Sequence, residues 1–238
     1  SGSYNHSVMT ETTAKTELPV ISRYDLIRQT PYFAGLSAED LKRVEELAIT
    51  DRFERDEMIF HEEDDNHYLH LVASGAVKVF GTSADGKEQI TAIARPGDSF
   101  NDVAAFDGSP TPSSAQALTP VLVYKLNGRE LLAKSCRYGA LAANIISTLG
   151  QKIRELGGLV ADLSFRPVAG RLARILLEHV PQSGPVRLTQ RDMASMAGTA
   201  REVKARALKS LEEDGIIQVE RQRIVILNPE ELKRLAER

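Results

Sequence analysis

The stretch TAREVKARALKSLEEDGIIQVE, residues 199–220, predicts a two-faced helix followed by a strand. At about 100° per residue, one arc of the helix is polar and the opposite arc is apolar. The polar arc contains Arg201, Glu202, Ala205, Arg206 and Lys209, and the apolar arc contains Val203, Ala207, Leu208 and Leu211. Gly215 ends the helix, because glycine tolerates the positive φ of a helix terminus. We expect the apolar arc to pack inward and the polar arc to face outward.

A shorter helix is predicted before this one and a hairpin after it. Thr189-Gln190-Arg191-Asp192 has the spacing of a capping box, and Gly198 supplies a tight turn between the two helices. The β-branched runs 216–220 and 224–227 flank a predicted turn at Arg221-Gln222-Arg223. Residues 189–227 therefore predict a winged helix-turn-helix.

The polar arc has the chemistry needed to contact bases in a DNA major groove. Arg201 and Arg206 can each donate two hydrogen bonds to guanine N7 and O6, and Glu202 can accept one from a cytosine amino group. Residues 199–209 carry four basic side chains against one acid, although the whole chain has a net charge of −3. An isolated R-E-x-x-x-R string is more often a solvated helix face with internal ion pairs. The turn and the wing around it favour DNA binding.

The R-E-x-x-x-R core and the ending from Leu208 to Ile217 resemble the cyclic-AMP receptor protein and fumarate-nitrate regulator (CRP/FNR) superfamily of transcription regulators. The resemblance implies base contacts by Arg201, Glu202 and Arg206 in a palindrome with TGTGA-like half-sites. It also implies RNA polymerase as a partner if the protein is an activator. Phosphate contacts are expected from Thr189, Arg191, Thr199, Lys204, Lys209, Arg221 and Arg223.

Composition agrees with a folded regulator. The chain has 238 residues, 42% of them hydrophobic, which suffices for one large or two ordinary domains. No apolar run approaches the roughly 20 residues that span a bilayer, so no membrane contact is expected. The single cysteine, Cys136, cannot form an intrachain disulfide and favours the reducing cytoplasm. Residues 1–21 are expected to be a tag remnant and a mobile N-terminus.

Residues 22–135 predict a β-rich sensory domain after two short helices, at 24–29 and from the capping residue Ser37 onward. Short strand-like runs follow, separated by glycine-containing turns. They occupy residues 58–60, 68–72, 76–80, 89–93 and 121–126. The landmarks Gly75, Gly97-Asp98 and Phe106-Asp107-Gly108 resemble the superfamily's cyclic-nucleotide-binding-like β-roll.

A long helix is predicted from about 137 to 163. Apolar residues recur there at spacings of three and four: Leu141, Ala142, Ile145, Leu149, Ile153, Leu156, Val160 and Leu163. Such a stripe could cover the β-roll of a monomer, whereas the resemblance implies that it pairs with a second copy. Gly157-Gly158 is expected to interrupt the helix, at about 1 kcal/mol per glycine relative to alanine. A harmless kink, a close approach of two helices, a hinge and room for an effector are the alternatives.

The predicted fold is therefore α+β, with a sensory β-roll, a dimerisation helix and hinge at 136–166, and a winged helix-turn-helix at 167–238. Pro167 separates the last two parts.

The predicted sensory pocket differs from that of relatives that bind cyclic AMP. In the aligned segments 97–102 and 110–114, Asn101, Asp102 and Pro112 take the places of a glycine, a glutamate and the phosphate-binding arginine. Without that arginine, a buried phosphate would lose its charge-assisted partner, so cyclic AMP is not the expected effector. Local turn bonding is the alternative role of the polar residues. The candidate pocket comprises Phe100, Asn101, Asp102, Val103, Ser113, Ser114, Leu156 and Gly157.

Other functions receive less support. An iron-sulfur cluster needs about four thiolates, and the chain has one cysteine. A haem-based gas or redox sensor stays an alternative because of His61, His67 and His70, although strand neighbours alternate faces. A cupin-like metalloenzyme needs an H-x-H pair, which these spacings lack.

With no P-loop or G-x-G-x-x-G, an enzyme is not expected. The winged helix with Arg201, Glu202 and Arg206 argues against a regulatory module that binds a nucleotide without DNA. The sequence predicts a homodimeric regulator whose small-molecule effector is unknown, or which acts without one.

Overall fold

The computed structural model describes residues 20–135, 140–179, 190–199, 201–220 and 223–237. Two short helices open this part of the chain, α1 (Arg23–Gln29) and α2 (Ala38–Leu47), with a 3-10 helix (Pro31–Phe33) between them. The hydroxyls of Ser22 and Ser37 accept hydrogen bonds from the N–H groups of Asp25 and Asp40, the third residue of each helix, at 3.1 Å. Both predicted helices, and the predicted cap of the second, are confirmed.

The sensory domain is a roll of two antiparallel four-stranded sheets. The first has the order β1-β8-β3-β6 and the second the order β2-β7-β4-β5. The strands are β1 (Ile49–Phe53), β2 (Met58–Phe60), β3 (Tyr68–Ser74), β4 (Val77–Thr82), β5 (Glu88–Ala94), β6 (Ser99–Phe100), β7 (Ser114–Ala117) and β8 (Val121–Asn127). All five predicted runs overlap these strands, with Ala76 alone lying just before β4, whereas β1, β6 and β7 were not predicted.

An aromatic stack fills the space between the two sheets. The ring of His70 lies 4.8 Å from that of Phe100 and 5.5 Å from that of Phe60, centroid to centroid. His70 Nδ1 lies 2.9 Å from the carbonyl oxygen of Tyr68. Burial lowers the pKa of His70 to about 4. The imidazole is therefore a neutral member of the core.

Two further helices close the roll, α3 (Asp102–Asp107) and α4 (Gly128–Ser135), and neither was predicted. They approach so closely that a Cβ at Gly128 would lie 1.7 Å from the carbonyl oxygen of Ala105. A glycine is required there.

The long helix α5 (Leu141–Phe165) is continuous over 25 residues. The predicted interruption at Gly157-Gly158 is wrong, and the helix passes through both residues with open space around them. A cost of about 1 kcal/mol per glycine is small beside the packing and hydrogen bonding of the remaining turns. No helix in the described part of the chain is long and apolar enough to cross a membrane.

The C-terminal domain consists of α6 (Val168–His179), α7 (Gln190–Met196), α8 (Arg201–Glu213), the hairpin β9 (Ile217–Glu220) and β10 (Arg223–Ile226), and α9 (Pro229–Glu237). Helix α9 was not predicted; the rest confirms the predicted winged helix-turn-helix. Arg223 pairs with Glu220 and so begins a strand instead of ending the turn. Thr189 and Arg221-Gln222 lie outside the described residues. The domain has its own core, which includes Leu172, Leu176, Leu208, Leu211, Ile217 and Leu232.

The buried histidine predicts an acid-sensitive sensory domain. In the unfolded chain His70 has a pKa of about 6.5, so between that pH and about 4 the unfolded state binds more protons. Stability should therefore fall as the pH drops through this range, by up to about 3 kcal/mol in total. His70→Phe, which keeps a ring in the stack, should remove most of this loss. Urea unfolding at pH 7 and pH 5 measures it. The exposed His61→Gln is the control, and an equal pH dependence in wild type and His70→Phe contradicts the assignment.

Candidate nucleic-acid interface and sensory cleft

Helix α8 presents the predicted polar face to solvent. It begins at Arg201, and the side chains of Glu202, Arg206 and Lys209 are exposed. Glu202 and Arg206 are four residues apart and therefore lie on one side of the helix. Lys209 Nζ lies 3.5 Å from Glu213 Oε1 on the surface. An exposed face with a carboxylate, a guanidinium and an ammonium can donate to and accept from base edges and phosphates.

Lys204 does not belong to this face. Its side chain is 1% exposed, and it lies four and seven residues before the buried Leu208 and Leu211. Helical periodicity places all three on the inner side of α8. Lys204 also has a partner within the protein. The predicted phosphate contact by Lys204 is therefore wrong in this structure.

The structure describes only some of the other residues that are predicted to contact DNA phosphates. Thr199 is half-buried directly after the turn between α7 and α8. The side chains of Arg191, Arg201 and Arg223 lie outside the described part of the structure, as do all atoms of Thr189 and Arg221.

A buried carboxylate joins the sensory domain to α5. Asp102 Oδ1 accepts hydrogen bonds from the hydroxyls of Tyr32, at 2.5 Å, and Ser99, at 2.7 Å. Asp102 Oδ2 pairs with Lys152 Nζ at 2.7 Å, and the same ammonium donates to the carbonyl oxygen of Ser99 at 3.1 Å. Burial and the neighbouring carboxylate raise the pKa of Tyr32 well above its usual value. The Asp102 carboxylate thus already has three donors.

A cleft of about 380 Å³ lies between the roll and α5. Helix α5 contributes Thr148, Gln151, Lys152 and Glu155, spaced so that they form one face. Opposite them are strand and turn residues of the roll, among them Val79, Ala92, Ile93, Ala94, Gly97, Asp98, Ser99 and Phe100. Asp98 and Glu155 are exposed carboxylates at this cleft.

Only some residues of the predicted effector pocket lie at this cleft. Phe100 lines the cleft, and Asp102 contacts Lys152, a lining residue. Val103, Leu156 and Gly157 are exposed and do not line it. Leu156 lies one turn after Lys152, at the edge of the cleft-facing side of α5, and Gly157 lies on the opposite side. Neither lines this cleft, so their assignment to the pocket is wrong for it.

Ser113 and Ser114 are also outside the cleft. Ser114 is buried, and its hydroxyl accepts a hydrogen bond from the N–H of Glu62 at 2.9 Å. This bond joins two segments of the roll that are 52 residues apart in sequence, so it differs from the local turn bonding that was the alternative interpretation.

Asn101 has a conformational role. Its φ is 63°, in the left-handed region that glycine adopts freely and asparagine tolerates. Its Nδ2 donates to the carbonyl oxygens of Asn66, at 2.8 Å, and Tyr68, at 3.1 Å. Asparagine can therefore occupy a backbone position whose conformation favours glycine. Its buried Oδ1 has no hydrogen-bond partner among the described atoms.

Sequence reasoning missed Thr148, Gln151 and Lys152. The sequence feature that could have identified them is a polar face at helical spacing on a helix with an apolar stripe. The partner of Lys152 could not be identified in this way, because it lies 50 residues away in sequence.

The three candidate haem or metal histidines lie apart. His67 Nε2 lies 2.6 Å from Asp65 Oδ1, whereas His70 is in the aromatic stack and His61 is exposed. Within the described ranges, no group of three His, Cys, Asp or Glu side chains could hold a metal ion.

A sensory β-roll joined by a long helix to a winged helix-turn-helix with an exposed polar face defines a class of DNA-binding transcription regulators. Residues 50–135 match the cyclic nucleotide-binding domain model, and residues 170–235 match the Crp-like helix-turn-helix domain model. The chain belongs to the CRP/FNR family of transcription regulators, as its sequence predicts.

Two curated relatives and one solved structure illustrate the similarity. The cyclic AMP receptor protein of Thermus thermophilus is 29% identical over 195 residues, 81% of this chain and 90% of the relative. A CRP-like cAMP-activated global transcriptional regulator of Mycobacterium tuberculosis is 29% identical over 193 residues, 77% of this chain and 86% of the relative. The structure of FixK2 from Bradyrhizobium japonicum is 25% identical, with a TM-score of 0.69, and the match covers 79% of this chain and 96% of that chain. These relatives are regulators and not enzymes.

Proposed function

We propose that the protein is a homodimeric transcription regulator that binds a palindrome with TGTGA-like half-sites, and that an effector other than cyclic AMP sets its DNA affinity. The observation that supports DNA binding is the exposed face of α8. Glu202 and Arg206 lie together on this face, and the opposite side of the helix is buried. Arg201, at the start of α8, completes the base-contacting set. We assign residues 22–135 to the sensory domain, residues 136–166 to the dimerisation helix and hinge, and residues 167–238 to the DNA-binding domain.

An exposed apolar stripe on α5 supports the dimer. Ile146, Ile153 and Val160 recur every seven residues and are 73%, 68% and 62% exposed. Leucines lie three residues after each of them, at 149, 156 and 163. Leu156 is 49% exposed, whereas Leu149 packs partly against the core of the roll and Leu163 lies close to Gly198. β-Branched residues at one heptad position and leucine at the other favour a parallel two-stranded coiled coil. A contiguous apolar stripe of this kind is stabilised by burial, and a second copy of the same helix is its complementary partner.

Two-fold symmetry then determines the DNA site. Two α8 helices related by a two-fold axis contact half-sites about one helical turn apart, roughly 34 Å, so the operator is palindromic. Thr189, Arg191, Thr199, Lys209, Arg221 and Arg223 contact phosphates and add affinity without sequence preference. RNA polymerase is the further partner if the protein activates transcription, and a reducing cytoplasm fits the cysteine content.

The cleft between the roll and α5 is the proposed effector site, with Phe100 and Lys152 among its lining residues. A phosphodiester is a poor ligand there for two reasons. Pro112 replaces the phosphate-binding arginine of relatives that bind cyclic AMP. The carboxylates of Asp98 and Glu155 would repel an anion, and Lys152, the one ammonium among the described lining residues, already pairs with Asp102.

Replacing one residue in the stripe tests the dimer. Ile153→Glu should place a charge in each chain at the helix contact and shift the protein to monomers in sedimentation experiments. Arg154→Glu introduces the same acid at an exposed position beside the stripe and should leave the dimer intact. A wild-type protein that is monomeric at all concentrations would contradict the proposal.

The base-contacting residue is tested by comparing two operators. Arg206→Ala should lose about 1–3 kcal/mol of preference for a TGTGA palindrome over a scrambled duplex, because a bidentate guanine contact is removed. Lys209→Ala should weaken both duplexes alike and lower the slope of log affinity against log salt by about 1. Fluorescence anisotropy at several salt concentrations measures both. Equal preference in wild type and Arg206→Ala would overturn the assignment.

Thermal unfolding tests the effector proposal. A ligand at one hundred times its Kd stabilises a protein by about 2.7 kcal/mol, which a melting curve detects easily. Millimolar cyclic AMP should leave the midpoint of this protein unchanged, whereas the Thermus thermophilus cyclic AMP receptor protein serves as the positive control. Native mass spectrometry of the purified protein should then show any retained effector by its mass. A saturable midpoint shift with cyclic AMP would exclude the proposal.

A further inference from the structure

The turn between α7 and α8 contacts both the sensory domain and the long helix. Gln89 of β5 donates from Nε2 to the carbonyl oxygen of Met196, at 3.4 Å. Arg171 of α6 donates from Nε to the carbonyl oxygen of Ala197, at 2.7 Å. Side chains from two different elements therefore bind two consecutive carbonyls, where α7 ends.

Arg171 also binds the end of α5. Its Nη1 donates to the carbonyl oxygens of Leu163, at 3.2 Å, and Arg166, at 2.8 Å. The last carbonyls of a helix have no partner within the helix, and a cation there interacts favourably with the negative end of the helix dipole. One guanidinium thus joins the C-terminal ends of α5 and α7.

Gly198 shows how closely the turn approaches its neighbours. Its φ is +57°, and a Cβ there would lie 2.5 Å from Leu163 Cδ2 and 2.9 Å from Gln89 Oε1. Both atoms belong to side chains outside the C-terminal domain. The backbone of the turn therefore packs directly on the last turns of α5 and on β5.

We propose that Gln89 and Arg171 are positioning residues that fix the turn at Met196–Gly198, and with it the orientation of α8 relative to the sensory domain. This inference rests on the proposed dimeric DNA binding. Helix α8 starts three residues after Gly198, so a displacement of the turn moves the DNA-contacting face. The sensory domain then acts on that face at two points, directly through β5 and through the end of α5.

The orientation of α8 determines the separation of the two helices in a dimer. Half-sites one turn apart are separated by roughly 34 Å over about 10 base pairs, so a displacement of about 3.4 Å corresponds to one base pair of spacer. Positioning should therefore appear as a preference for one spacer length, independently of how well each half-site is bound.

Two pairs of matched variants test the proposal. Gln89→Glu keeps the shape but places an acceptor against the Met196 carbonyl, and its control is Gln116→Glu, which removes a side-chain hydrogen bond to the Asp56 carbonyl elsewhere in the roll. Arg171→Met keeps an apolar stem but removes the guanidinium. Its control is Arg234→Met, which removes an exposed guanidinium of α9. Circular dichroism checks that each variant is folded.

The first measurement needs no DNA. Nitroxides on Glu54→Cys in the sensory domain and Ser210→Cys in α8, both exposed sites, report their separation by pulsed electron resonance. Cys136→Ser removes the native thiol, and dilution with unlabelled protein isolates distances within one chain. One narrow distance distribution is expected for the wild type and both controls, and a broad one for Gln89→Glu and Arg171→Met. Narrow, unchanged distributions in both test variants would overturn the inference.

The second measurement uses palindromes whose spacers differ by one base pair, with an isolated half-site as reference. Wild type and controls should prefer one spacer by about tenfold, which is about 1.4 kcal/mol. Gln89→Glu and Arg171→Met should lose most of this preference and keep the half-site affinity, whereas an unchanged spacer preference contradicts a positioning role. If the wild type binds no palindrome and no half-site, the proposed DNA-binding function fails, and the distance measurement alone decides the positioning role.

Discussion

The carboxylate of Asp102 lies inside the sensory domain, where an unpaired charge would cost several kcal/mol. Three donors from three segments offset that cost: Tyr32 from the N-terminal helices, Ser99 from β6 and Lys152 from α5. Asn144, two turns earlier on α5, adds hydrogen bonds to the carbonyls of Tyr32 and Ala34. These polar contacts fix α5 on the roll, and the direction of α5 in turn determines where the exposed stripe, the hinge and the C-terminal domain lie.

Helix α5 therefore has two interfaces of different chemistry. Thr148, Lys152 and Glu155 face the cleft with polar groups, whereas Ile153 and Val160 face solvent with apolar ones. A ligand in the cleft would contact the same helix that pairs with a second copy in the proposed dimer. Its binding energy could then favour one arrangement of the two helices over another, which is how a small molecule shifts a population without touching DNA.

Sequence patterns correctly predicted the structural elements that are determined by a few neighbouring residues. The cap at Ser37 and the glycine turn at Gly198 are of this kind, and so is the period of α8. Strand β7 has the sequence SAQA, which has little strand propensity and pairs because its neighbours β2 and β4 position it. Lys204 was assigned to the surface by its charge, although its spacing from Leu208 already placed it inside. The contact between Lys152 and Asp102 joins distant segments, and no local pattern encodes it.

The stripe on α5 also has a property that concerns partner choice. In coiled coils, charges beside the apolar seam select which chains pair. Here those flanking positions hold Gly150, Gly157 and Ser164 on one side and Ile145, Lys152 and Leu159 on the other. The single charge among them already pairs with Asp102 of its own chain. In the proposed dimer the stripe would therefore specify how many helices associate, whereas its flanking positions would contribute no charge that discriminates against a related helix.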